Sequence, residues 1–178
     1  MLRLTGVGAV AGSLAALEAC GGSPGPRGYG ANENAASADA DVLNSSLDLE
    51  HMAVAAYTVV IPRLSSSRRS LGHRFLTQER AHATALSRLI GELGGTPNQP
   101  RASYDFLALH DESGALRFAN DIENTAVAAY IDALPKLSNP ILKATVASII
   151  TNEAEHLSVL ASALHQTPAP TPFVVGRA

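Results

Sequence analysis

The sequence predicts an all-α protein, a four-helix bundle built from two repeated helix pairs with a long crossover between helices two and three. Three observations carry that prediction. The chain is rich in Ala and Leu and poor in alternating β-branched residues, so its apolar pattern is helical. The stretch "LEHMAVAAYTVVIPRLS" (49–65) returns as "IENTAVAAYIDALPKLS" (122–138), with Glu, Ala-Val-Ala-Ala-Tyr, Pro and Leu-Ser in register; self-similarity at a fixed period is a statement about architecture. The 178 residues suffice for one domain holding four helices of about 25 residues with their connections.

The first twenty residues differ from the rest. One early Arg is followed by a Gly/Ala/Leu/Val run of the length of a signal-peptide hydrophobic region, too short for a spanning helix. The run ends at Cys20, the only cysteine, and Leu17-Glu18-Ala19-Cys20 resembles a bacterial lipoprotein cleavage box. Residues 1–20 are therefore expected to direct export to the cell envelope. Cys20 is the expected lipidation point, anchoring the protein to the outer face of the cytoplasmic membrane. With one cysteine no internal disulfide can form. Residues 21–38, rich in Gly, Pro, Ser and Asn, read as a flexible tether.

The bundle itself is expected over residues 39–166. Helix one should begin near Asp39 or Asp41, acidic residues suited to a helix N-terminus, and run to about Ile61, where Pro62 ends it. Helix two follows, with Ser65 to Ser67 as caps and Gly94-Gly95 as a stop. The stretch "TPNQPRASYDFLALHDESG" is too long for a tight turn and fits a crossover. Helix three should span about Asp111 to Leu137, with Pro135 matching Pro62. Helix four starts after Asn139 as cap with Pro140 in its first turn. Residues 167–178 form an extended tail, and Phe173-Val174-Val175 is expected to pack on the bundle.

The chemistry lies in an ordered set of carboxylates and imidazoles: Glu50, then Glu79 with His82, then Glu123, then Glu153 with His156. Residues three apart share a helix face, so each Glu-x-x-His directs both side chains at one spot. A single such motif would carry little. Here two occur, offset by 74 (Glu79 to Glu153), and the lone glutamates are offset by 73 (Glu50 to Glu123). One Glu from each of two helices and one Glu-x-x-His from each of the others is the ligand set of a dinuclear carboxylate site in a bundle. Ala53, Val54 and Tyr57 follow Glu50 on one helical face, as Ala126, Val127 and Tyr130 follow Glu123, which puts the carboxylates on the side to be buried.

Buried carboxylates are untenable alone. Two divalent cations balance the four negative charges while His82 and His156 bind as neutral imidazoles. Carboxylate and imidazole without thiolate suit iron or manganese. Tyr57 and Tyr130 either hydrogen-bond a ligand, relay an electron, or simply sit in the core with satisfied hydroxyls. His51 and Glu155 become alternative ligands only if the helical register slips by one. His73, His110 and His165 read as solvated, and Arg68-Arg69 with Arg74 as a solvated face. A net charge of −3 and the absence of a basic patch exclude nucleic acid as a partner.

These motifs and the repeat resemble the ferritin-like superfamily over residues 39–166, and within it the exported ferritin-like domain proteins of bacteria; the ending "TPFVVG" is also similar to tails in that group. The resemblance implies Glu50 and Glu123 at the single-Glu positions, Glu79 and Glu153 as bridging or chelating carboxylates, and His82 and His156 as their companions. It further implies two iron ions, alternatively manganese, acting on O2 or peroxide, and leaves a homodimer open. No Cys-x-x-Cys is present, so a rubredoxin-type electron relay is not expected. Three readings follow: a di-metal oxidoreductase of ferroxidase or peroxide-scavenging type, a non-catalytic stress or desiccation-type lipoprotein with a structural metal, and a metal-free interaction module.

Overall fold

A computed structural model describes residues 33–176. The expected signal segment, Cys20 and most of the expected tether lie outside the described residues. Four long helices carry the chain: α1 (Glu33–Val60), α2 (Ser66–Glu92), α3 (Glu112–Ala133) and α4 (Pro140–Ala163). No described helix is long and apolar enough to cross a membrane.

Helix α1 starts six residues ahead of Asp39. Asp39 is instead buried inside the helix and accepts hydrogen bonds from Ser138 N (2.7 Å), Ser138 Oγ (2.7 Å) and Asn139 N (3.3 Å), just before α4. A carboxylate with three donors is satisfied without water. The prolines act alike: around Pro62 and Pro135 each first helix of a pair tightens into a short 3-10 turn, Ile61–Arg63 and Leu134–Lys136, because proline removes a helical donor and crowds the preceding turn.

Ser65 does occupy the position before α2, but its side chain does not cap that helix. Its N–H and hydroxyl both donate to Glu112 Oε1, at 2.9 and 2.7 Å, and Arg68 pairs with the same carboxylate at 3.1 Å. The starts of α2 and α3 therefore meet, and the crossover must travel back along the length of α2, about 40 Å at 1.5 Å per residue. It is fastened to α1 on the way. Asn44 donates to Thr96 O and accepts from Asn98 N, Asp48 accepts from Asn98 Nδ2, and His51 Nε2 donates to Asn98 O (3.1 Å). Phe106 packs edge-on against Phe118 of α3, ring centroids 5.2 Å apart.

Caps close the helices. Asp111 accepts from Gly114 N and Asn139 from Ile141 N. Helix α2 ends in a Schellman turn, with Gly94 at φ +80° and Gly95 N bonded to Ile90 O. Helix α4 ends in the same way, Gln166 N bonding Ala161 O, but the residue at positive φ is His165 (φ 59°), an uncommon place for a side chain. The C-terminal expectation fails in part. Phe173, Val174 and Val175 are exposed and do not pack on the bundle. The tail meets α3 through Gly176, where a Cβ would collide with backbone atoms of Asn124 and Ala128.

Beside a small cluster of Ala53, Ala56 and Ile122, two large apolar clusters fill the interior. One gathers Leu43, Leu47, Leu86, Ile90, Val146 and Ile149, the other Val60, Phe75, Leu76, Ala115, Leu116 and Leu160, each drawing on all four helices. Polar residues lie between them.

Candidate metal centre

The amphipathic spacing that makes each helix bury its apolar stripe also buries its glutamate. Glu50, Glu79, Glu123, Glu153 and His156 are buried among the apolar residues of the bundle, with His82 close behind. All six side chains converge in mid-bundle, in two overlapping groups. Glu50, Glu79, His82 and Glu153 form one, and Glu79, Glu123, Glu153 and His156 the other, the donor atoms of each lying within 4.8 Å of one another. Glu79 and Glu153 belong to both. The arrangement follows the repeat: each histidine faces the lone Glu of its own helix pair and both shared glutamates.

The distances make the convergence concrete. His82 Nδ1 lies 3.0 Å from Glu153, 3.5 Å from Glu50 and 3.6 Å from Glu79. His156 Nδ1 lies 3.1 Å from Glu79 and 3.2 Å from each of Glu123 and Glu153. None of these six approaches forms a hydrogen bond. Seven buried side-chain atoms among the described residues have no hydrogen-bond partner: Glu50 Oε2, Glu79 Oε1, His82 Nδ1, Glu123 Oε2, both Glu153 oxygens and His156 Nδ1. All belong to these six residues. Buried polar atoms are rarely left unpaired, and seven in one place make a donor set that cations would satisfy. The residues fit a pair of metal ions by number, by charge and by chemistry.

Outside this shell every neighbour is satisfied. Tyr57 donates its hydroxyl to Glu123 Oε1 and Tyr130 donates to Glu50 Oε1. Each tyrosine thus serves the glutamate of the other helix, and the reversed order of the two pairings shows that α1 and α3 run antiparallel. His156 Nε2 bonds Gln78 Oε1 at 3.0 Å, and its ring stacks on Phe75 with centroids 3.9 Å apart. A cleft of about 460 Å³ opens between α2 and α4 and reaches His82; Gln78, Thr151, Asn152 and Glu155 help line it.

The metal-free site is protonically frustrated. Burial pushes Glu50 up to about 8, with Glu153 and Glu79 adding to it and His82 opposing. Burial also raises Glu123 well above the usual carboxylate range. For His82 burial pulls downward, but the carboxylates of Glu153, Glu50 and Glu79 override it and drive the imidazole up to about 12. His156 rises to about 11 for the same reason, against burial and through Glu123, Glu153 and Glu79. Glu153 goes the other way: burial would raise it, but His156 and His82 hold it well below the ordinary range. Cations held by these residues would take over the part that protons play here.

Each residue singled out in sequence has a definite place. The six ligand candidates come together. His51 and Glu155 do not join them: His51 holds the crossover, and Glu155 accepts from Asn152 on the cleft. His73, His110 and His165 are all exposed, as expected, and His165 in addition ends α4. Arg69 and Arg74 are exposed, as expected of a solvated face, while Arg68 pairs with Glu112 and Arg69 donates to Leu64 O. Gln78, Phe75 and Asp39 were not anticipated. A signal for Gln78 existed, since an amide precedes both motif glutamates (Gln78-Glu79, Asn152-Glu153).

The chain belongs to the ferritin-like domain family, which it matches over residues 38–166. A search of curated proteins finds no match. Among solved structures it is similar to a conserved hypothetical protein of Mycobacterium tuberculosis at 20% identity and TM-score 0.69, covering 72% of this chain and 98% of that one. It is also similar to a ferritin-like, diiron-carboxylate protein of Bacillus anthracis (23% identity, TM-score 0.63, 73% of this chain and 97% of that one). A bacterioferritin of Desulfovibrio desulfuricans, described with its diiron site in different catalytic states, matches at 18% identity and TM-score 0.65, over 82% of this chain and 95% of that one. At these identities the likenesses carry the fold, a ferritin-like four-helix bundle.

Proposed function

We propose that the protein binds two metal ions, iron or manganese, between its four helices and uses them on O2 or peroxide at the cell envelope, as a ferroxidase or a peroxide scavenger. The observation that carries the reading is the set of seven orphaned donors falling into two groups that share Glu79 and Glu153. Glu50 and His82 would hold one ion, Glu123 and His156 the other, with Glu79 and Glu153 common to both. The metals supply, when bound, the electron exchange with O2 or peroxide that no side chain here can provide. The protein's own part is positional. Tyr130 and Tyr57 hold the carboxylates of Glu50 and Glu123, the imidazoles release the proton at Nδ1, and the two apolar clusters keep water out from either end. The cleft at His82 admits molecules as small as O2 or peroxide, which favours turnover over a purely structural metal.

The deciding experiment is metal analysis of the full chain, purified without chelators and reconstituted anaerobically with Fe(II) or Mn(II). Two metals per chain with consumption of O2 or peroxide is the expected result. Two metals without turnover would favour the stress-protective protein with a structural site. No metal under either condition would leave a helical interaction module. The envelope location rests on Cys20: Cys20→Ser should move the protein from the membrane fraction to the soluble one, and unchanged fractionation would overturn the lipid anchor.

A further inference from the structure

The two-fold repeat makes the six converging residues alike, but the residues around them are not alike. Gln78 and Asn152 occupy equivalent places, each immediately before a motif glutamate and offset by 74. Gln78 Oε1 can only accept, so His156 must donate its Nε2 proton there (3.0 Å). That bond fixes the ring and keeps the Nδ1 lone pair on the carboxylate side. Asn152 gives no such service to His82: its amide donates to Glu155 at 3.2 Å. Phe75 stacks on His156, while the residue at the matching place is Ile149, which lines the cleft. Glu155 stands on that cleft, where the repeat has Ala81 on α2. The outcome is visible in exposure: the side chain of His82 is 13% accessible and that of His156 is 1%.

We infer that the two metal positions differ in kinetic stability. The position bounded by Glu123 and His156 is closed and retains its ion, with Gln78 as its positioning residue. The position bounded by Glu50 and His82 exchanges with solvent through the α2–α4 cleft. The inference rests on the two-metal reading given above. Its physical basis is that a ligand whose far nitrogen is held by a hydrogen bond and whose ring is stacked cannot swing away from its ion, whereas His82 has neither constraint among the described residues. Loss of such an outer hydrogen bond typically weakens metal binding by roughly 10- to 100-fold.

The test is anaerobic release of Mn(II) from the loaded full chain into excess chelator, followed by metal appearance rather than by activity. One ion per chain should leave at least about ten times faster than the other, the scale of an outer hydrogen bond. His82→Ala should abolish the fast phase, leaving one slowly released ion; His156→Ala should leave one fast ion. Gln78→Leu should accelerate the slow phase by roughly 10-fold or more, and Gln78→Glu, which restores an acceptor, should bring it back. That contrast separates positioning from mere loss of packing. Thr151→Trp, on the cleft wall and not itself one of the converging residues, should slow the fast phase alone. Two ions leaving at one rate, or His82→Ala removing the slow phase, would overturn the inference while leaving the two-metal reading intact. Failure to bind any metal would take both down.

Discussion

Asp39 near the start of α1 holds Ser138 before α4, and Glu112 at the start of α3 holds Ser65 before α2, each through the serine N–H and hydroxyl. The acids are offset by 73 and so are the serines, so these are two copies of one clasp at opposite ends of the bundle. Asp39 is buried and adds a third bond from Asn139 N; Glu112 is partly exposed and shares its charge with Arg68. The same division appears at the metal centre, where the converging residues repeat and their supports diverge. The duplicated helix pair therefore repeats the converging residues and the serine clasps, while the residues that support them differ, buried ones such as Phe75 included.

The sharpest way to break that symmetry is to remove what both halves share. Glu79→Ala with Glu153→Ala should take metal stoichiometry from two per chain to none, whereas Glu50→Ala or Glu123→Ala alone should leave about one, since each belongs to a single group. Two metals retained in the double variant would refute the shared-carboxylate assignment.

A second test is pH. In the metal-free fold Glu50 titrates near 8 against 4.5 for the ordinary group, and His82 near 12 against 6.5. Both therefore bind more protons folded than unfolded, Glu50 above about pH 4.5 and His82 above about pH 6.5. Stability from such groups is complete below the unfolded pKa and is lost as pH rises. The Tm of the metal-free protein should accordingly fall between pH 5 and 8, while metal affinity rises over the same range as protons are displaced. A metal-free Tm that climbs with pH would contradict the protonation scheme.

The clasps give a smaller contrast. Asp39→Ala should cost about 1 to 3 kcal/mol, because buried donors lose their acceptor. Glu112→Ala should cost markedly less, as expected for an exposed, solvent-screened group. Denaturant melts of the two variants decide the order, and equal losses would mean that burial does not distinguish them. The least effect is expected at the helix ends. His165→Gly relieves a left-handed side chain and should gain roughly 0.5 to 1 kcal/mol, towards the arrangement that Gly94 already has in α2. A loss of stability there would show that the imidazole has a role beyond ending α4.

The sequence by itself determined the four helices, the long crossover and all six converging residues. Helical periodicity and the spacing of three within each Glu-x-x-His are local properties, and the repeat set their register. Where local signals were mixed, the reading slipped. Asp39 looked like a helix start because acids favour N-termini, but its partners lie 99 and 100 residues away. Phe173 to Val175 looked like core by hydrophobicity alone, yet they are exposed, and it is the following Gly176 that lies close against α3. Tertiary structure alone decided which glutamate each tyrosine serves, partners 66 and 80 residues apart, and which histidine is stacked and which opens on a cleft. Those choices depend on which helices become neighbours and how closely α2 approaches α4, and no spacing along a single helix encodes either.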